Sequence, residues 1–201
     1  DYKSKTNLDW LFGSSFPIPK KNYVIVVPGG SKKRINKRIP LNLYCKILNY
    51  LINSNLEVLI IGSKDDKFIC TEIEKKVPGV KNLCCKTNLF DIAKLSKYSL
   101  ISVGNDTGPM HLIAKGGKQT FVFFTKFSEP ELCKPIGKKV SVFTYKNNNQ
   151  NFYDEVISKI KNVIKFLNDD WQHFLIELWK TMLKLKLPDG NIKKFEENTN
   201  G

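Results

Sequence analysis

Gly104-Asn105-Asp106-Thr107-Gly108-Pro109-Met110-His111 packs a carboxylate, an amide, a hydroxyl and an imidazole between two glycines and a proline. The run follows the apolar stretch Leu100–Val103, which reads as a buried strand. Asp106 or Thr107 can cap a following helix, and Pro109 suits its first turn. Free backbone N–H groups at such a turn, with an adjacent glycine and a hydroxyl, suit an anion. Thr107 and Gly108 would hold phosphate oxygens, and His111, one turn in, adds a donor. The alternative is that Asp106 and Thr107 only cap the helix and that His111 packs in the core.

Two further loops carry groups of the same use. Ser31-Lys32-Lys33-Arg34-Ile35-Asn36-Lys37-Arg38 is mostly cationic and lies between a strand and a helix. Its charges could neutralise a diphosphate leaving group. It lacks the glycine-lysine pattern of a Walker A loop. Gly62-Ser63-Lys64-Asp65-Asp66 places carboxylates after a second strand, where doubly wound folds read ribose hydroxyls. Asp65 or Asp66 could equally serve as a helix N-cap.

The elements that would position these loops alternate along the chain. Tyr23–Val27 is a β-branched apolar run and reads as a buried strand. Leu43, Tyr44, Ile47, Leu48, Leu51 and Ile52 follow Pro40 at helical spacing. Val58–Ile61 is the next strand, followed by a helix with Phe68, Ile69, Ile73 and Val77 inward. Val80–Cys84 reads as a third strand, and Leu89, Ile92, Ala93 and Leu95 as a helix face. Leu100–Val103 and Thr120–Phe124 read as strands, His111–Lys115 as part of a helix, and Lys139–Phe143 as an edge strand. Val156, Ile157, Ile160, Val163, Ile164 and Leu167 mark a long helix.

Strands that are apolar throughout, without alternation, belong to a parallel sheet covered on both faces. The expected fold is therefore α/β, a Rossmann-like doubly wound parallel sheet with helices on both faces. It would span residues 23–167, after a linker over 1–22. Residues 168–201 would form a C-terminal amphipathic helix and tail. In that helix Asp169 or Asp170 is the cap, and Trp171, Phe174, Leu175, Leu178, Trp179, Met182 and Leu183 form one stripe. In such sheets ligands bind at the carboxyl ends of the strands, where the three polar loops fall.

Of the 201 residues 33 are Lys or Arg and 19 Asp or Glu, for a net charge of +14. That balance favours anionic partners, although lysine is abundant along the whole chain. Nucleic acid is not expected, because no helix-turn-helix, zinc finger or aromatic-basic sheet motif accompanies the charge. Cys45, Cys70, Cys84, Cys85 and Cys133 form no C-x-x-C pair, which fits a reduced, cytoplasmic protein. With two histidines, a histidine metal cage is not expected, and no cofactor is implied.

"VPGGSKKRINKRIP", "IIGSKDD", "KTNLFDIAKLSKYSLISVGNDTGPMHLIA" and "SEPELCKPIG" occur in this order. Together they resemble the C-terminal half of glycosyltransferase family 9, the ADP-heptose:lipopolysaccharide heptosyltransferases, over about residues 8–165. The resemblance implies the C-terminal, nucleotide-sugar-binding domain of a GT-B fold. It places Asp106, Thr107 and Gly108 at the donor diphosphate with His111 beside them, and Lys37 at a phosphate. Asp66 stands where the family usually has a glutamate that contacts the ribose. Ile39 stands at the family's usual Trp, and Thr125-Lys126 at its usual Gly-Pro.

The same resemblance implies an inverting displacement on the anomeric carbon of a nucleotide-diphosphate sugar, with ADP-heptose as the donor. The catalytic base and the site for a glycolipid acceptor would lie in an N-terminal domain preceding Asp1. This chain is then expected to be the donor half of a cytoplasmic transferase of cell-surface glycan synthesis. A nucleotide-binding module without transfer activity is the alternative. The Trp171–Leu187 helix could pack on its own domain, cross to the N-terminal domain, or touch the inner face of the cytoplasmic membrane.

Overall fold

The computed structural model describes residues 7–146 and 151–182, and beyond Phe166 it describes the side chain of Ile176 alone. The strands are β1 (Tyr23–Val27), β2 (Glu57–Ile60), β3 (Val80–Asn82), β4 (Ile101–Asn105), β5 (Gln119–Thr125) and β6 (Val140–Tyr145). The helices are α1 (Leu41–Asn53), α2 (Lys67–Lys76), α3 (Leu89–Tyr98), α4 (Gly108–Ile113), α5 (Pro130–Cys133) and α6 (Asn151–Met182). All strands run parallel in the order β3-β2-β1-β4-β5-β6. The order reverses between β1 and β4, and a doubly wound sheet opens its ligand crevice at that reversal.

β1 sits at the centre because each of its residues is apolar and buried. Val24 lies beside Val58 on one flank and Ile101 on the other. Tyr23, Ile25 and Val27 join Ile92, Leu95, Met110 and Ile113 in the core beneath α3 and α4. On the opposite face Tyr44 of α1 meets Phe123 of β5 edge-on at 5.8 Å, and Phe123 meets Phe152 at 5.5 Å. A sheet apolar on both faces needs helices on both, which is why these strands show no alternation.

Residues 7–22, expected as a linker, lie against α3. A 3-10 turn at Asp9–Phe12 sets Trp10 edge-on to Phe90 and Phe12 under Lys97. Ser14 donates a hydrogen bond to Asp91, and Phe16 and Ile18 pack on the core.

Several expectations need correction. Phe68 points outward and is 78% exposed, and Ile69 is half-buried. Ile73 and Val77 are buried as expected, and the residue that completes their stripe is Cys70. Leu89, the first residue of α3, is exposed. β3 stops at Asn82, and Cys84 lies in a turn. No new helix starts at Asp169 or Asp170, since α6 runs unbroken from Asn151 to Met182. Asn and Asp cost a helix only a few tenths of a kcal/mol each, roughly, when they are not required as caps. The side chains of the expected Trp171–Leu183 stripe lie outside the described residues. Contacts divide the chain into two compact units, residues 1–157 and 158–201.

The five cysteines are free thiols. Cys70 is buried, and burial pushes its thiol pKa up, with the Cys84 thiol adding to the effect. Thiolate is the reactive form, so Cys70 is doubly protected. Iodoacetamide at pH 8 is expected to label the exposed Cys85 in the native protein and Cys70 only after denaturation. Peptide mass mapping reads the result, and rapid native labelling of Cys70 would contradict the packing of α2.

Candidate functional site

The three loops predicted to carry chemistry meet at the carboxyl edge of β1, β2 and β4. They line a cleft of about 1110 Å³, closed on its flanks by the start of α3 and by Leu132 and Cys133 of α5. Each of Lys37, Asp66, Asp106, Thr107, Gly108 and His111 lines it.

The cationic loop divides by direction. Lys32, Lys33 and Arg34 are exposed, while a 3-10 turn at Ile35–Lys37 brings Lys37 and Arg38 inward. Lys37 Nζ donates to Asp106 Oδ2 at 2.9 Å, and the two side chains are 16% and 7% exposed. Ser128 Oγ donates to the same oxygen at 3.1 Å. Asp106 therefore acts on Lys37, holding an ammonium in the cleft wall. An ammonium has three protons to give, so two remain for a ligand.

Asp66 braces two loops. Its Oδ1 accepts from Gly30 N–H at 2.9 Å, and its Oδ2 accepts from Ser63 N–H at 2.9 Å and Ser63 Oγ at 2.8 Å. Arg38 lies 3.5 Å from Oδ1. Ser63 and Asp66 form a capping box at this turn, and Asp66 also takes the N-cap position of α2, without a side-chain capping bond to that helix. The close approach needs glycine at 29, because a Cβ there would fall 2.0 Å from Asp66 Oδ1.

Thr107 takes the N-cap position of α4, yet its side chain makes no capping bond. Its Oγ1 is buried without a hydrogen-bond partner, as is Arg38 Nε. Both lie by Gly30: a Cβ built there would sit 3.0 Å from Thr107 Cγ2 and 3.8 Å from Arg38 Nε. Leaving such groups unmade costs about 1–3 kcal/mol each. His111 is exposed on the cleft side of α4, which removes the alternative that it packs in the core. Among the described residues no group of three His, Cys, Asp or Glu side chains could hold a metal ion.

Three residues organise the site: Asn105 and Thr125, to which sequence reasoning gave no site role, and Arg38, which it read only as part of the cationic loop. Asn105 is fully buried at the end of β4. Its Nδ2 donates to the carbonyls of Pro28 (2.7 Å) and Gly29 (3.1 Å), and its Oδ1 accepts from Ile39 N–H at 3.1 Å. Thr125 Oγ1 donates to Asn36 O at 2.9 Å, anchoring the loop's other side. Arg38 closes the contact to Asp66. The signal for Asn105 was present: a polar amide ending an apolar strand must find partners when buried.

Glycosyltransferase family 9 (heptosyltransferase) matches residues 4–160. Lipooligosaccharide heptosyltransferase 2 of Haemophilus influenzae is 29% identical over 111 residues, covering 53% of this chain and 32% of that protein. The solved structure of E. coli ADP-heptose lps heptosyltransferase II is similar in fold, with a TM-score of 0.65 and 20% identity. That match covers 80% of this chain and 50% of the other. E. coli heptosyltransferase WaaC with ADP gives a TM-score of 0.63 at 19% identity, over 73% of this chain and 46% of that one. The chain thus spans about a third of this curated relative's length and half of the E. coli structure's.

Proposed function

Since the chain belongs to glycosyltransferase family 9, the heptosyltransferases, we propose that its cleft binds the donor of an inverting sugar transfer, a nucleoside-diphosphate sugar and specifically ADP-heptose. The observation that carries this reading is the convergence of Lys37, Arg38 and the unpaired Thr107 hydroxyl on one edge of the cleft. Two phosphates carry more charge than one cation can meet. The site supplies a pinned ammonium, a guanidinium nitrogen, a hydroxyl and the N–H groups by Gly108. The similarity to a heptosyltransferase solved with ADP supports the same nucleotide.

The cleft's other end suits a nucleoside. Asp66 closes the turn that follows β2, on the edge where doubly wound folds place a carboxylate beside a ribose. Ile61, Leu89 and Ile92 line the wall next to it and offer an apolar surface for a base.

In the proposed reaction an acceptor hydroxyl, deprotonated by a base from a preceding domain of GT-B type, attacks the anomeric carbon. The bond to the diphosphate oxygen breaks on the opposite side. The nucleoside diphosphate leaves with the electron pair. Lys37 acts at this step, because the charge it faces grows as that bond breaks. A glycolipid of lipopolysaccharide synthesis at the inner face of the cytoplasmic membrane is the proposed acceptor.

Calorimetry with ADP and AMP tests the diphosphate site directly. ADP is expected to bind more tightly. Thr107→Val keeps the shape but removes the hydroxyl, and should weaken ADP by about 1–2 kcal/mol, on the scale of a bond to a charged group. AMP binding as tight as ADP binding would defeat the diphosphate assignment.

A further inference from the structure

Phe68 is the anomaly of α2. It is 78% exposed on a helix whose Cys70 and Ile73 are fully buried. It lies in a shallow depression, about 490 Å³, on the outer face of α2. Lys32 from the loop after β1, Lys64 from the turn after β2, and Lys67 and Lys75 from α2 line the same depression. The acids facing it are Asp65 and Glu72. Glu72 is taken by Lys75 at 3.1 Å. Lys32, Lys64 and Lys67 have no acidic partner among the described residues.

We propose that this face of α2 docks on an anionic lipid surface, with Phe68 entering the headgroup layer and the lysines meeting lipid phosphates. The charge pattern favours that partner. A small-molecule site is largely apolar and concave, whereas this one is a single aromatic ring in a cationic collar. Single-stranded nucleic acid needs successive aromatic platforms, and one stands here. A ring that enters the interface, combined with a cluster of lysines, is the two-signal arrangement that holds a protein on a membrane reversibly. Lys33 and Arg34, exposed on the adjoining loop, extend the charge toward the donor cleft. Asp65 lines both the depression and the cleft, so docking would hold the cleft mouth near the membrane.

The test is sedimentation of the whole chain with phosphatidylcholine vesicles, with and without phosphatidylglycerol, at low and high salt. Binding is expected with the anionic vesicles and should fall as salt rises. Phe68→Ser should lower the partition coefficient about ten-fold, as loss of a partly buried ring implies. Lys67→Ala should lower it about five-fold, the scale of one lysine at an anionic surface. Melting temperature and ADP affinity should stay as in the parent, which shows that the variants are folded. Lys180→Glu with Lys184→Glu, in the C-terminal segment, should leave sedimentation in place. Absence of binding to anionic vesicles overturns the proposal. So does binding that survives the α2 changes but not the C-terminal ones. Retention of a single-stranded oligonucleotide in place of vesicles, lost in Phe68→Ser, overturns it in favour of nucleic acid.

Discussion

Asn105→Ala is expected to destabilise the sheet unit by about 3–5 kcal/mol, because three buried backbone groups lose their partner at about 1–3 kcal/mol each, less what relaxation recovers. The groups are the carbonyls of Pro28 and Gly29 and the N–H of Ile39. Pro28, Gly29 and Ile39 are buried, as Asn105 is. At about 2–4 °C per kcal/mol for a chain of this size, the melting temperature should drop by about 6–20 °C. Asn105→Asp separates the donors from the acceptor. It keeps a group that can receive the Ile39 N–H but loses both N–H bonds to the loop carbonyls. It should melt well below the parent. ADP affinity, measured below the melting range, should also fall in both variants, because Lys37 and Arg38 sit on the loop that Asn105 pins. A variant Asn105→Asp that melts with the parent would mean that the carbonyls of Pro28 and Gly29 are satisfied some other way.

Asn105 also marks where sequence reasoning stops. β1 was legible to the residue, because a central parallel strand is buried on both faces and reads as an unbroken β-branched run. That three polar loops would meet at one sheet edge was legible, because each is a burst of polar residues directly after such a run. What binds the loops together was not legible. Asn105 reaches Pro28 across 77 positions, and Thr125 reaches Asn36 across 89. No local pattern encodes bonds of that separation. The helix faces were read correctly where leucine and isoleucine dominate, as in α1. In α2 Ile73 and Val77 are buried as expected, but the first turn was misread: a small buried cysteine at position 70 carries the stripe there and a phenylalanine at 68 does not. Free cysteine packs as a small hydrophobe, and a pattern weighted toward large side chains passes over it. In α6 the Asn168-Asp169-Asp170 run looks like a start signal, but capping requires a chain that enters the helix there, and this one is already helical.

Lys37→Met should weaken ADP by about 2–3 kcal/mol, roughly 30- to 150-fold, the scale of a lost hydrogen bond to a charged group in a partly buried site. The loss has two parts. One is the missing ammonium. The other is the Asp106 carboxylate, which Lys37 neutralises at 2.9 Å and which would now stand unpaired in the wall that receives the diphosphate. Ser128 offers that carboxylate a single neutral hydrogen bond, which does not cancel its charge. The two parts can be separated. If Asp106 serves to hold Lys37 and touches no phosphate itself, Lys37→Met combined with Asp106→Asn should bind ADP more tightly than Lys37→Met alone, because the repulsion is gone. Residues in direct contact routinely show such non-additivity, of about 0.5–3 kcal/mol. Titration of the two variants with ADP decides it. A double variant that binds no better than the single one would give Asp106 a direct role toward the ligand. ADP binding unchanged in Lys37→Met would remove the lysine from the diphosphate site altogether, and would leave Arg38 and Thr107 as the groups that meet the phosphates.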